Sequence, residues 1–120
     1  MRAGIFHNGK WGYIRILCNV KWMGEAGVRG IVIWPFIMFS DRAENIEKWI
    51  FRHELQHAYQ VMRLGRIRFY WLYFLASLRH GYFENPFEIE AREYQYTPLT
   101  RIEEALLWKL KEQSLSKQVV

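Results

Sequence analysis

Apolar and polar positions along the chain fall into segments whose period changes from strand-like to helical near residue 40. Aromatic and β-branched residues dominate 11–17, which predicts a strand, and the glycines at 24, 27 and 30 predict turns after it. Residues 31–39 (IVIWPFIMF) read as a second strand. Pro35 lies within this run and donates no ladder hydrogen bond, which predicts a sheet edge, while the lack of polar alternation argues for burial on both faces. Beyond it, Ile46, Trp49, Ile50, Phe51, His53, Leu55, His57, Ala58 and Val61 recur on one broad stripe. That pattern predicts a helix over 42–64, capped by Ser40 or Asp41 and stopped by Gly65.

Three further helices are predicted. The first covers 67–79 and ends at His80-Gly81. The second opens on the cap and first-turn pair Asn85-Pro86 and runs to about residue 96. The third begins at the Thr100/Glu103 capping-box spacing and reaches about residue 111, leaving a frayed tail over 117–120. Within the first lies a charge-free run, 69–78 (FYWLYFLASL), between Arg68 and Arg79. A membrane-crossing helix needs about 20 apolar residues, so this run predicts a buried helix, with docking at a membrane surface as the alternative.

No repeat, low-complexity tract or linker divides the chain, and 51% hydrophobic residues over 120 positions suit one core, so a single domain over 1–120 is expected. The lone cysteine, Cys18, cannot form an internal disulfide, and any metal site has to be built from His, Asp and Glu. With no signal-like N-terminal stretch, a cytoplasmic location is expected. The net charge of +5 would suit an acidic partner, but there is no zinc-finger spacing, RNA-recognition signature or basic repeat, and nucleic-acid binding is not predicted.

The chemistry concentrates in His53-Glu54-Leu55-Gln56-His57, an H-E-x-x-H pattern that takes half of the chain's four histidines. On a helix, residues four apart share a face and stand about 6 Å apart along the axis, so two imidazoles can converge on one cation. Glu54 is rotated to the side of that face, where it can reach a water without being a ligand. A catalytic zinc usually takes three protein ligands and keeps one position open. No histidine follows at the spacing of the extended metzincin pattern, so downstream carboxylates are the candidates: Glu88, Glu90 and Glu93, on the helix that Asn85-Pro86 opens. Residues two apart on a helix are separated by about 200°, so Glu88 and Glu90 cannot both face one ion. Glu88 also occupies the third helical position, where a carboxylate completes a cap with no metal present.

Here the chain resembles the gluzincins, metallopeptidases in which a glutamate on a second helix completes the site. It is most similar to the very small minigluzincin type, which pairs an edge strand, an H-E-x-x-H helix and an F-E-x-E-A helix; Phe87 to Ala91 carry the last of these. The resemblance covers roughly residues 30–96. It implies Glu88 as the third ligand, because Ala stands three positions on at residue 91; Arg92 stands where such families often have an Asp that braces a histidine. It also implies an oxyanion-steadying Tyr or His, for which His80, Tyr82 and Tyr94 are candidates and Tyr82, in the loop before the ligand helix, the first choice.

The expectation is an α+β, zincin-like domain, with a short sheet whose edge strand packs on the H-E-x-x-H helix, and further helices. Zn2+ would be held by His53, His57 and Glu88. Glu54 would act as general base in hydrolysing a peptide or protein substrate, the edge strand offering it main-chain hydrogen bonds. The alternative is a non-catalytic scaffold of the same shape that binds a protein or a membrane surface.

Overall fold

The computed structural model describes residues 1–119. Its first two strands, β1 (Arg2–His7) and β2 (Lys10–Leu17), form a hairpin turning on Asn8-Gly9. Both turn residues have positive φ, 54° and 76°, the conformation that a tight two-residue hairpin turn demands and that Asn-Gly tolerates. Along β2, Gly12, Ile14 and Ile16 are buried and Trp11, Tyr13, Arg15 and Leu17 exposed, so one face meets the core and the other meets solvent. After the short helix α1 (Lys21–Glu25) come β3 (Gly30–Ile33) and β4 (Phe36–Phe39).

The run 31–39, expected as one edge strand, is therefore a hairpin. It folds back at the cis Trp34-Pro35 bond, so Pro35 sits in the turn and disturbs no ladder. The sheet order is β1-β2-β4-β3, with β2 and β4 parallel and the other pairs antiparallel. β3 is the edge and β4 is interior, which accounts for the apolar character of its residues: Ile37 and Phe39 are buried in the core.

A single 3-10 turn at Ala43–Asn45 precedes α2 (Lys48–Leu64). Neither Ser40 nor Asp41 caps α2. Ile46, buried in the core, holds an extended backbone (φ −73°, ψ 119°), and the helix starts only after Glu47. Gly65 ends it at φ 83°. Then follow α3 (Arg66–His80), α4 (Pro86–Tyr94) and α5 (Arg101–Val119). The Asn85 side chain accepts from the Phe87 N–H at 2.9 Å, and Thr100 and Glu103 exchange both capping-box bonds, at 2.8 and 3.2 Å. α5 continues to Val119, through the stretch expected to fray, and Val120 lies outside the described residues.

The fold is α+β, with one four-stranded mixed sheet and five α-helices among the described residues. Ile5, Ile14, Ile16, Ile37 and Phe39 from the sheet meet Phe51, Leu55 and Ala58 of α2 and Leu106, Leu107 and Leu110 of α5. Each large side chain buried this way contributes on the order of 1.5–3 kcal/mol. Because α2 lies between the sheet on one side and α3 and α4 on the other, every residue from His53 to Val61 is buried. Polar side chains in that stretch must find partners inside the protein.

α3 departs from expectation. Of its apolar run only Phe69 is buried, while Trp71, Phe74, Leu75 and Leu78 are exposed. It packs by one face and leaves the other bare. Among the described residues, no helix is long and apolar enough to cross a membrane.

Candidate metal centre

His53 and His57 lie one turn apart on α2 and point to the same side, their rings 5.0 Å apart centre to centre. Opposite them, α4 presents Glu88, 3% exposed, and the fully buried Ala91 of the same helix lets α4 approach α2 closely. Glu88 Oε1 lies 3.1 Å from both His53 Nε2 and His57 Nε2. Among the described residues these three form the one group of His, Cys, Asp or Glu whose ligand atoms converge, all within 4.8 Å of one another.

The tautomer of His57 follows from its neighbours. Gln60 Nε2 donates to the Phe87 carbonyl at 2.9 Å and to Glu90 Oε1 at 3.2 Å, which turns Gln60 Oε1 toward His57 Nδ1 at 2.8 Å. Nδ1 therefore carries a proton and donates it, and in the neutral ring Nε2 has only a lone pair, facing a carboxylate oxygen. Two acceptors at 3.1 Å repel unless a positive charge lies with them. That charge can be a proton on His57 or a metal ion shared by all three groups. Burial disfavours a charge on His57, but its hydrogen bond to Glu88 and the charges of Glu54 and Glu88 outweigh this and raise its pKa. His53 is arranged similarly, with Nδ1 2.9 Å from Gln95 Oε1.

The donor set suits zinc. Four-coordinate zinc with ligands at about 2.0–2.1 Å sets ligand atoms roughly 3.3 Å apart, close to the 3.1 Å contacts here. Imidazoles whose second nitrogen is tied down are the usual form of a metal-binding histidine. The brace that the sequence left open at Arg92 is supplied by Gln60 and Gln95. Arg92 itself stacks over the Phe83 ring at 4.1 Å and donates to the Phe83 carbonyl.

Glu88 Oε2 accepts from the Tyr73 hydroxyl at 2.5 Å. Burial opposes ionisation of Glu88, yet His53 and His57, which donate to it when protonated, and the Tyr73 hydroxyl hold its carboxyl well below the usual range. The Tyr73 hydroxyl is driven the other way, by burial and then by its bond to Glu88, and remains a donor. Glu90 points away from this cluster, as helix geometry requires, and accepts from Gln56 Nε2 at 2.8 Å.

Glu54 differs from every other buried acid. It is 6% exposed and lines the cleft, and no hydrogen bond or ion pair holds it among the described residues. Its carboxylate packs against Gly30 at the start of β3, where an added Cβ would stand 2.8 Å from Glu54 Oε2. Burial raises its pKa against the attraction of His57 and His53. A carboxyl that is desolvated, unengaged and beside a candidate ion has the environment of a general base.

These groups line a cleft of about 770 Å³ walled by β3, α2, α3 and α4. The Arg29 carbonyl accepts from Ser40 N–H, so by antiparallel alternation Arg29, Ile31 and Ile33 pair with β4 while Gly30 and Val32 turn their main chain to the open edge. Tyr70 closes one end of that edge, its hydroxyl donating to the Val32 carbonyl at 2.9 Å and accepting from Trp34 N–H at 2.8 Å. Tyr82 also lines the cleft, 65% exposed, its pKa pushed up to about 12 by burial and by the charges of Glu88 and Glu54. His80 and Tyr94 do not reach the cleft; Tyr94 lies under the Arg52 guanidinium.

Sequence reasoning missed Tyr73, Gln60, Gln95 and Gly30. Gln60, three residues after His57, was open to detection by helix spacing; the other three are joined to the site only by the fold. Comparison with known protein families, curated proteins and solved structures finds no match to the chain.

Proposed function

We propose that this protein is a zinc-dependent peptidase of gluzincin type, with His53, His57 and Glu88 as ligands and Glu54 as general base. The observation that carries the reading is the pairing of two unlike states within one cluster. Glu88 Oε1 stands 3.1 Å from both imidazole Nε2 atoms in a form that calls for a positive charge, and beside them the Glu54 carboxylate, on a residue 6% exposed, faces the cleft without a hydrogen bond among the described residues.

Bound zinc would polarise a carbonyl and acidify a water in the position the three ligands leave open. The protein's own contribution is then clear. Glu54 takes the proton of the attacking water and hands it to the leaving amine, its raised pKa bringing it nearer the pH at which it must both accept and donate. Gly30 and Val32 offer main-chain groups to an extended peptide, which would add to β3 as a short strand until Tyr70 stops it. Tyr82, protonated and lining the cleft, is the donor available to steady charge on the scissile carbonyl oxygen, whereas Tyr73 spends its proton on Glu88. A cytoplasmic setting goes with this reading, resting on the lone Cys18, whose partly buried thiol is raised to about 11 and is unreactive.

The test is metal analysis joined to a peptide-library digest. About one zinc per chain and peptide cleavage are expected. Glu54→Gln is expected to keep the zinc and lose roughly 10²–10⁴ of the rate. Absence of zinc after metal is added back would overturn the reading; stoichiometric zinc with no cleavage of any peptide would favour a non-catalytic scaffold instead.

A further inference from the structure

The bare face of α3 is organised. At about 100° per residue, Ile67, Trp71, Phe74, Leu75 and Leu78 fall within an arc of roughly 100°. All five are exposed, Ile67 by 82% and Leu78 by 70%, and Trp71 stacks on Phe74. The stripe is about 16 Å long at 1.5 Å per residue. Arg68 and Arg79 flank one side of it and Arg66 the other, α3 contains no acidic residue, and no salt bridge engages these arginines among the described residues. Tyr82 and Phe83, beyond the Gly81 turn, extend the exposed aromatic surface.

We infer that α3 docks the protein reversibly onto an anionic lipid surface, its apolar stripe entering the headgroup boundary and Arg66, Arg68 and Arg79 meeting lipid phosphates. Charge decides between occupants. A second copy laid symmetrically on this stripe would bring one set of unpaired arginines against another, which is repulsive, whereas an anionic bilayer neutralises all three. An apolar strip containing Trp and Phe with arginines beside it and no acidic residue is also the composition of helices that lie in the membrane interface. The arc of Tyr70 and Tyr73, which walls the cleft, adjoins the stripe, so docking would hold the cleft close to the lipid surface.

The measurement is co-sedimentation of the full chain with vesicles of phosphatidylcholine and phosphatidylglycerol in equal parts, compared with phosphatidylcholine alone. Binding is expected to the mixed vesicles only and to weaken as salt rises. Replacing Arg66, Arg68 and Arg79 together by Gln should weaken it on the order of a hundredfold. The exposed pair Trp71→Ser and Leu78→Ser should weaken it at least about tenfold with the circular dichroism unchanged. The inference fails if anionic vesicles are not bound. It fails also if both variants bind like the parent, which would move the contact to another surface such as the sheet's open face. A concentration-dependent dimer abolished by the Trp71/Leu78 pair, without vesicle binding, would assign the stripe to a second copy and overturn it as well.

Discussion

Glu88 and Glu103 are both 3% exposed, both sit in the first turn of a helix, and both reach across to side chains of α2. Their partners differ in kind. Glu103 Oε2 receives Arg52 Nη1 at 2.7 Å and the Tyr59 hydroxyl at 2.5 Å, and its Oε1 accepts from Thr100 N–H at 2.8 Å. One fixed positive charge and two neutral donors meet one carboxylate, and the cluster is electrically complete. Glu88 has one neutral donor, Tyr73, and two imidazoles that bring lone pairs unless they are protonated. A buried acid whose cation is built into the chain is an anchor for the fold; one whose positive charge is a proton on an imidazole or an ion taken from solution is a candidate binding site.

The comparison breaks most sharply on deletion of each glutamate. Glu88→Ala is expected to weaken zinc binding by more than about a hundredfold, beyond the range that loss of a mere bracing group gives. Competition with a chelator measures it, and an affinity equal to that of the parent would show that Glu88 holds no ion. Glu103→Ala should instead leave zinc affinity within a few-fold and cost the fold about 3 kcal/mol, because Arg52, 12% exposed, is left as an uncompensated charge. Denaturant unfolding of the zinc-free protein reads that loss. If the two variants exchanged phenotypes, the division between anchor and site would be wrong.

How far the sequence discloses this division depends on the range of the interaction. The H-E-x-x-H pair, the Asn85 cap and the Thr100/Glu103 box lie within one or two helical turns, and local spacing was enough to read them. Asn8-Gly9 is as local a signal, and the hairpin it makes, with β1 before it, is legible from that pair, although the expected strand began only at residue 11. The hairpin within 31–39 was masked by its own apolar content. A strand interior to the sheet and an edge strand that walls a cleft are both rich in isoleucine, and only the turn at Pro35 separates them. For α3, hydrophobicity suggests burial, yet composition does not say which face of a helix is covered. Tyr73, Gln95 and Gly30 belong to the site through contacts 15, 42 and 24 residues away in the chain, where no local pattern reaches.

The finest distinction lies within the braces of His57. Gln60 holds Nδ1 directly, while Glu90 acts one step further out, accepting from Gln60 Nε2 at 3.2 Å and from Gln56 at 2.8 Å, with Arg63 alongside at 3.4 Å. Gln60→Ala removes the acceptor that keeps the proton on Nδ1 and the lone pair on Nε2, so His57 can adopt the tautomer that presents N–H to the ion. Zinc affinity should fall roughly 10- to 100-fold, the usual effect of losing such a brace. Glu90→Ala leaves Gln60 a second acceptor, the Phe87 carbonyl at 2.9 Å, which by itself keeps Nε2 of the amide turned away from His57 and Oε1 turned toward it. Its effect on zinc affinity should therefore stay within about threefold, well short of a bracing residue's. Chelator competition on the two variants side by side separates the cases. A larger loss for Glu90→Ala than for Gln60→Ala would mean that negative charge at residue 90, and not the tautomer of His57, is what the ion senses. Equal losses would mean that the Phe87 carbonyl cannot hold the amide alone, and that Glu90 and Gln60 act on His57 as one unit.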